Sequence, residues 1–278
     1  MLIRIISALI GIPFAIILVY ARGGAPFALI IAIIAMIGLW EFYGGSEKQG
    51  AKSLWWLGLP FSVSFIVAAW FKPALLDFSI VMLGLFLAML IWELFRHDRA
   101  PIRNIGATLL GAVYVGGLFG YLVLLRQMPG KVDINYSSSW FDLQSRGAWL
   151  AMFAMLTTWA CDTGAYFVGS TIGKHKLAPT LSPGKTIEGA VGAIVCSTLM
   201  ALLIGGVLGF HIWSRILLGV VIGAFSILGD LCESAMKREI GIKDFGAIMP
   251  GHGGVLDRCD SLLFSAPALF YIIYFLKL

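Results

Sequence analysis

Apolar runs of about 20 residues recur from one end of this chain to the other, and few folds can accommodate them. The hydrocarbon core of a bilayer is about 30 Å thick, and a helix needs about 20 apolar residues to cross it. Inside lipid the backbone finds no water, so each run must satisfy its own amides and carbonyls as a helix. The runs fall at about 2–20, 25–42, 54–71, 76–95, 104–125, 148–170, 189–210, 213–236 and 257–276. They predict an all-α, polytopic transmembrane bundle of about nine spans. Composition agrees, with 59% hydrophobic residues over 278 positions, against about 45–50% in soluble domains. The first run, MLIRIISALIGIPFAIILVY, lacks a small-residue cleavage site and is followed by further spans. It therefore reads as a spanning helix and not as a removed signal.

Basic residues in the connecting loops predict orientation. With the N-terminus and the even-numbered loops on one side, thirteen of the 20 Lys and Arg residues fall there, which predicts a cytoplasmic N-terminus. The net charge of +5 fits loops facing anionic headgroups and gives no reason to invoke nucleic acid. Cys161, Cys196, Cys232 and Cys259 lie in apolar contexts without CxxC spacing and read as small core residues. No composition shift marks a soluble domain, so residues 1–278 read as one membrane domain. Its helices in 1–125 are nearly featureless, and those in 148–278 carry the polar positions. In the first half, Glu41, Asp77 and Glu93 stand near predicted helix ends and read as solvated at the membrane interface.

Polarity concentrates instead in SAMKREIGIKDFGAIMPGHGGVLDRCD, from Ser234 to Asp260, between two apolar runs of a chain with only 13% charged residues. Lipid cannot solvate such a cluster, so it must line a wet, protein-walled site at the membrane edge. Upstream, Asp230 is followed by Glu233, Ser234, Lys237 and Arg238, offsets that share one helix face. That stripe either aims at a site or pairs acids with bases between helices. Asp257 and Asp260 open the last run at i, i+3, and two close carboxylates repel unless a cation sits between them. Hard oxygen ligands suit magnesium, with Asp230 as a third acid if the last two helices pack antiparallel. The alternative for Asp257 and Asp260 is a helix start favoured by the macrodipole.

The loop Pro250–Gly254 has glycines, Gly253 and Gly254 among them, that let backbone amides approach an anion. Lys243, His252 and Arg258 surround it. His252 is as readily a structural hydrogen-bonder as a catalyst. A second polar loop, GKHKLAPTLSPGKTIEG, carries Lys174, Lys176, Ser182, Lys185, Thr186 and Glu188, and Asp162 lies upstream inside a span. Its lysines alone would satisfy the positive-inside rule, but an ionisable group within a span points to function. Acids for a metal and bases for phosphates suit nucleotidyl or phosphoryl transfer, in which charge neutralisation and in-line positioning do most of the catalysis. One substrate would be a lipid and the other water-soluble.

Ser234-x-Met236-Lys237-Arg238, Lys243-Asp244, His252-Gly253-Gly254 and Asp257-Arg258-x-Asp260 together resemble the signature of the phosphatidate cytidylyltransferase (CDP-diacylglycerol synthase) family. CDTGAYFVG and KHKLAPTLSPGKTIEG are similar to its other motifs, so the resemblance covers roughly 157–265. Met249 and Cys259 depart from the expected aliphatic residues. The resemblance implies conversion of CTP and phosphatidic acid to CDP-diacylglycerol and pyrophosphate, with Mg²⁺ required and a monovalent cation such as K⁺ allowed. It implies catalytic roles for Asp230, Lys237, Arg238, Lys243, Asp244, His252, Asp257, Arg258 and Asp260, with metal on Asp230, Asp257 and Asp260. Asp162, Lys174, Lys176, Ser182, Lys185, Thr186, Glu188, Ser234, Gly253 and Gly254 would bind substrate. It further implies a homodimer in the cell (inner or plasma) membrane. The competing readings are a CTP-dependent lipid kinase and an ion-coupled transporter, the latter disfavoured because the acids crowd one edge and no matching halves are visible.

Overall fold

The computed structural model describes residues 2–72, 74–96, 100–134, 136, 138–248 and 253–278. Among them the chain forms helices α1 (Leu2–Tyr20), α2 (Ala25–Glu47), α3 (Trp55–Phe71), α4 (Leu75–Leu94), α5 (Pro101–Gly111), α6 (Leu118–Arg126), α7 (Arg146–Ile172), α8 (Ile187–Val207), α9 (Ile212–Ile240) and α10 (Asp260–Leu276). A π-helical turn at Ala112–Gly117 joins α5 and α6 into one rod. The nine ranges read from the sequence each coincide with a helical segment. Among the described residues, five segments are apolar and long enough to cross a membrane: Ala25–Glu47, Leu75–Leu94, Pro101–Arg126, Ile187–Val207 and Ile212–Ile240. The protein is an all-α, polytopic membrane protein.

Local chemistry sets several helix starts. Pro26 and Pro101 sit in first turns, where a missing amide costs nothing. Ser145 Oγ accepts from the Ala148 amide (3.2 Å) and caps α7, and Thr186 Oγ1 accepts from the Gly189 amide (3.1 Å) and caps α8. Proline is tolerated inside α1, α3 and α10, as it is in membrane helices generally.

Helices α7, α8, α9 and α10 pack in sequence, and α6 lies against both α7 and α10. Between α7 and α8 the backbones nearly touch: a Cβ on Gly164 would stand 2.6 Å from Cys196 Sγ and 2.7 Å from the Gly192 carbonyl. Such close approach is how membrane helices gain packing energy without a hydrophobic drive between them. Leu150, Phe153, Leu218, Leu263 and Leu269 fill this core, continued by Leu39, Phe119 and Leu122 from α2 and α6. A second cluster under α3, α4 and α5 holds Leu54, Leu57, Phe61, Met89 and Ile105. Helix α4 presents Leu75, Leu76, Ile80 and Leu83 outward, as a lipid-facing helix does.

Loop contacts sort the two ends. At one, Gln49 bonds the Glu239 carbonyl, Arg96 the Lys52 carbonyl (2.8 Å) and Arg238 the Leu181 carbonyl (3.0 Å). At the other, Arg22 bonds the Ser138 carbonyl (3.1 Å), Lys72 the Gln127 carbonyl (3.3 Å) and Arg126 the Val19 carbonyl (2.7 Å). The loops grouped by charge thus share an end.

Three expectations need correction. Glu41 and Glu93 are not solvated at an interface but are 2% and 7% exposed. Glu93 accepts from Asn104 Nδ2 (3.3 Å) and Arg96 Nη1 (3.0 Å), while Asn104 Oδ1 accepts from the Lys52 amide, so one network ties the α2–α3 loop to α4 and α5. Asp77 is exposed, as read. The segment read as a loop before α8 contains an antiparallel hairpin, β1 (Lys176–Ala178) and β2 (Ser182–Thr186), pairing Lys176 with Thr186 and Ala178 with Ser182. Its turn is therefore at 179–181, so Ser182, Pro183 and Gly184 belong to a strand. All four cysteines are free, and Cys232 is exposed and not a core residue.

Candidate active site

Helix α9 turns most of its polar stripe inward, and Asp230 and Lys237 of that stripe reach the cavity, whereas Arg238 does not. Lys237 Nζ reaches Glu233 Oε1, one turn back, at 2.8 Å, and Asp257 Oδ1 at 2.9 Å. Glu233 is fully buried, and the ammonium gives its Oε1 a donor there. Ser234 is buried on the same face. Arg238, one residue past the lysine, turns outward, and its bond to the Leu181 carbonyl pins the hairpin turn to α9.

The two acids expected at the start of the last helix occupy different elements. Helix α10 begins at Asp260, and Asp257 sits before it in a 3-10 turn, Leu256–Arg258. Asp257 Oδ2 accepts from the amides of Phe245 and Gly254, both at 2.9 Å. Burial pushes its carboxyl upward, but bonds from Lys237, Glu233 and the Gly254 amide outweigh that and hold it below the usual carboxylate range. Gly253 adopts φ +84°, the left-handed region that favours glycine. The Gly254 amide, expected to meet a substrate anion, is turned inward onto Asp257. Asp260 Oδ1 accepts from the Ser261 amide (2.7 Å), and Ser261 Oγ donates to Asp162 Oδ1 (3.1 Å), which brings the acid of α7 beside α10.

The hairpin closes the opposite wall. Lys185 Nζ lies 2.8 Å from Asp230 Oδ1. Glu188 accepts from the Lys174 and His175 amides (3.1 and 3.2 Å) and pairs with His175 Nδ1 (2.6 Å), clasping the hairpin's entry to the first turn of α8. Thr186 is buried as the α8 cap, and Lys174 and Lys176 point to solvent.

These walls enclose a cavity of about 540 Å³, lined by Asp162, Lys185, Thr186, Asp230, Lys237, Asp244, Asp257, Arg258 and Asp260 among the expected residues. Lys174, Lys176, Ser182, Glu188, Ser234, Arg238, Lys243, Gly253 and Gly254 stand outside the lining. His252 lies outside the described residues, as do Met249 and the start of the glycine loop. Among the described residues no three His, Cys, Asp or Glu side chains form a ready-made cage for an ion. The donors fit magnesium's usual habit, in which one or two carboxylates bind and water and phosphate oxygens complete the shell. Of roughly four acceptor positions on a carboxylate, Asp257 has most engaged by Lys237 and two amides. Asp230 and Asp260 each show one oxygen in a bond among the described residues.

The sequence pattern gives Ser261 no role, assigns Glu41 to the membrane interface and leaves Glu233 outside the site residues. The i, i+4 spacing of Glu233 and Lys237 was a usable signal, and the position of Ser261 beside Asp260 was a weak one. Glu41 offered none, because its partners are backbone amides 214 and 215 positions away.

The profile of the cytidylyltransferase family matches residues 2–276. Similar proteins include the phosphatidate cytidylyltransferase of Synechocystis sp., 35% identical over 98% of this chain and 96% of its own length. Those of Staphylococcus epidermidis (34% identical, 95% of this chain and 94% of the relative) and Bacillus subtilis (33%, 90% of each) align almost as fully.

Proposed function

The chain belongs to the cytidylyltransferase family, and we propose that it joins CTP to phosphatidic acid, forming CDP-diacylglycerol and pyrophosphate. The observation that carries this reading is the single cavity in which acids of α7, α9 and α10 face Lys185 of the hairpin. A phosphate oxygen of the lipid attacks the α-phosphorus of CTP, the bond from that phosphorus to the bridging oxygen of the β-phosphate breaks, and pyrophosphate leaves. Little covalent chemistry is asked of the protein, so holding the two phosphates in line and neutralising their charge supply most of the acceleration. Lys185, Lys237 and Arg258 offer cationic charge at the cavity wall. The Lys185–Asp230 pair can open toward a phosphate without leaving the ammonium unpaired. Asp244 lines the same wall near Gly253.

Magnesium, when bound, neutralises triphosphate oxygens; Asp230 and Asp260 would hold it, with Asp257 beside them, and a monovalent cation is proposed to share the acids. The protein is further proposed to be a homodimer of the cell membrane, with its N-terminus and cavity on the cytoplasmic side, where CTP is available. The crowding of basic loops at the cavity's end supports that orientation.

The test is incorporation of label by purified protein in phosphatidic acid micelles. Label from the α-position of CTP should enter the lipid, and label from the γ-position should leave as pyrophosphate. Lipid labelled from the γ-position would make the protein a kinase and overturn the reading.

A further inference from the structure

The amides at the start of the 3-10 turn that carries Asp257 and Arg258 are not capped from within their own loop. Val255 N and Leu256 N donate to Glu41 Oε1 (3.1 Å) and Oε2 (2.9 Å), on helix α2. Helix and turn starts leave such amides without partners, and a carboxylate there satisfies them and complements the local dipole. A carboxylate that is 2% exposed is costly to bury unless such donors engage it.

Two glycines make room for it. A Cβ on Gly254 would stand 2.6 Å from Glu41 Oε2, and one on Gly246 would collide with the same carboxylate. The carboxylate is thus clasped between Gly246, before the loop, and Gly254, within it. Phe245, next to Gly246, stacks on Phe42, next to Glu41, with ring centroids 5.6 Å apart. The Phe245 amide in turn donates to Asp257. Every link from α2 to Asp257 is therefore a short, directional contact.

We propose that Glu41 is a positioning residue for the reaction, setting the course of backbone 253–258 and hence the aim of Asp257 and Arg258 into the cavity. This rests on the cavity being the site of cytidylyl transfer. Glu41 is not among the residues that line the cavity; it acts through the turn. Its role also gives the first half of the chain a part in catalysis beyond anchoring.

The experiment compares Glu41→Gln, Glu41→Asp and Gly246→Ala with Glu93→Gln, a buried acid in a network remote from the loop. Turnover, KM for CTP and thermal unfolding are measured on each full-length protein in lipid micelles. Glu41→Gln keeps the shape but faces a donor with a donor at one amide. It should lower kcat about 10- to 100-fold, the scale of an ångström-sized misplacement, with KM within about threefold. Glu41→Asp should recover part of that loss, and Gly246→Ala, which keeps the carboxylate but displaces it, should reproduce it. Glu93→Gln should lower unfolding temperature without changing kcat per folded molecule. If Glu41→Gln does not fold, Gly246→Ala and Glu41→Asp decide. The proposal is overturned by wild-type kcat in the folded variants, or by losses that follow unfolding as in Glu93→Gln. A wild-type protein without cytidylyl transfer would instead refute the function itself.

Discussion

Lys237 holds Asp257 at 2.9 Å while keeping its other bond on Glu233, so one ammonium joins helix α9 to the turn before α10. The two acids differ in surroundings. Both accept from the lysine, and Asp257 also has two backbone donors.

Replacing Lys237 with methionine should therefore damage fold and function together. Removing one partner of a buried ion pair leaves an uncompensated charge and costs about 3–5 kcal/mol. Unfolding in detergent should shift downward, and turnover per folded molecule should fall at least about 100-fold. Differential scanning and initial rates on the same preparation check both. Wild-type stability would mean that Glu233 does not rely on this lysine.

Lys185 and Asp230 form a pair across the cavity at 2.8 Å, and groups in contact do not act independently. In a cycle of Lys185→Met, Asp230→Asn and the double variant, the double loss in kcat/KM should be clearly smaller than the product of the single losses. A multiplicative result would show that the pair has no shared role in turnover.

The carboxyl of Asp257 titrates below its ordinary value of 3.8. A depressed folded-state value means stability that is present above pH 3.8 and is lost as the pH falls through the lower, folded value. Asp257→Asn should therefore be less stable at neutral pH, and the gap to wild type should narrow on acidification below that point. Chemical unfolding of both proteins across pH 3–7 is the measurement, and a gap that widens in acid would contradict the assignment.

Arg238 reaches the Leu181 carbonyl on the hairpin turn but lines no part of the cavity. Arg238→Ala should loosen the hairpin. It should raise the KM for CTP several-fold, with stability changed by less than about 1 kcal/mol, as for most exposed charges. Faster limited proteolysis at 179–181 would accompany it. Unchanged KM with unchanged proteolysis would show that the contact is dispensable.

The helices were legible because lipid admits almost no other backbone solution, and the α9 stripe because offsets of three, four and seven from Asp230 share a face; Arg238, at offset eight, lies at its margin and turns outward. The pairing of Asp230 and Asp257 with lysines was legible only as composition, since each lysine comes from an element other than its acid's. Lys174 and Lys176 read as site residues because charge has no direction in a sequence; the hairpin turns them to solvent. That hairpin was missed because three- and five-residue strands carry too little alternation to register. Glu41 was misread because a lone acid near a helix end looks the same whether water or a distant backbone satisfies it.

On the proposed reaction, the acids of this cavity support Mg²⁺-dependent transfer of a cytidylyl group to a lipid. It is tested most directly by the initial rate of CDP-diacylglycerol formation, titrated with Mg²⁺, for wild type and Asp260→Asn. Wild type should be silent without Mg²⁺ and saturate as it is added. Asp260→Asn should remain at least about 100-fold slower at every concentration, with its unfolding profile unchanged. A near-wild-type rate in that variant, or a wild-type rate indifferent to Mg²⁺, would contradict the account.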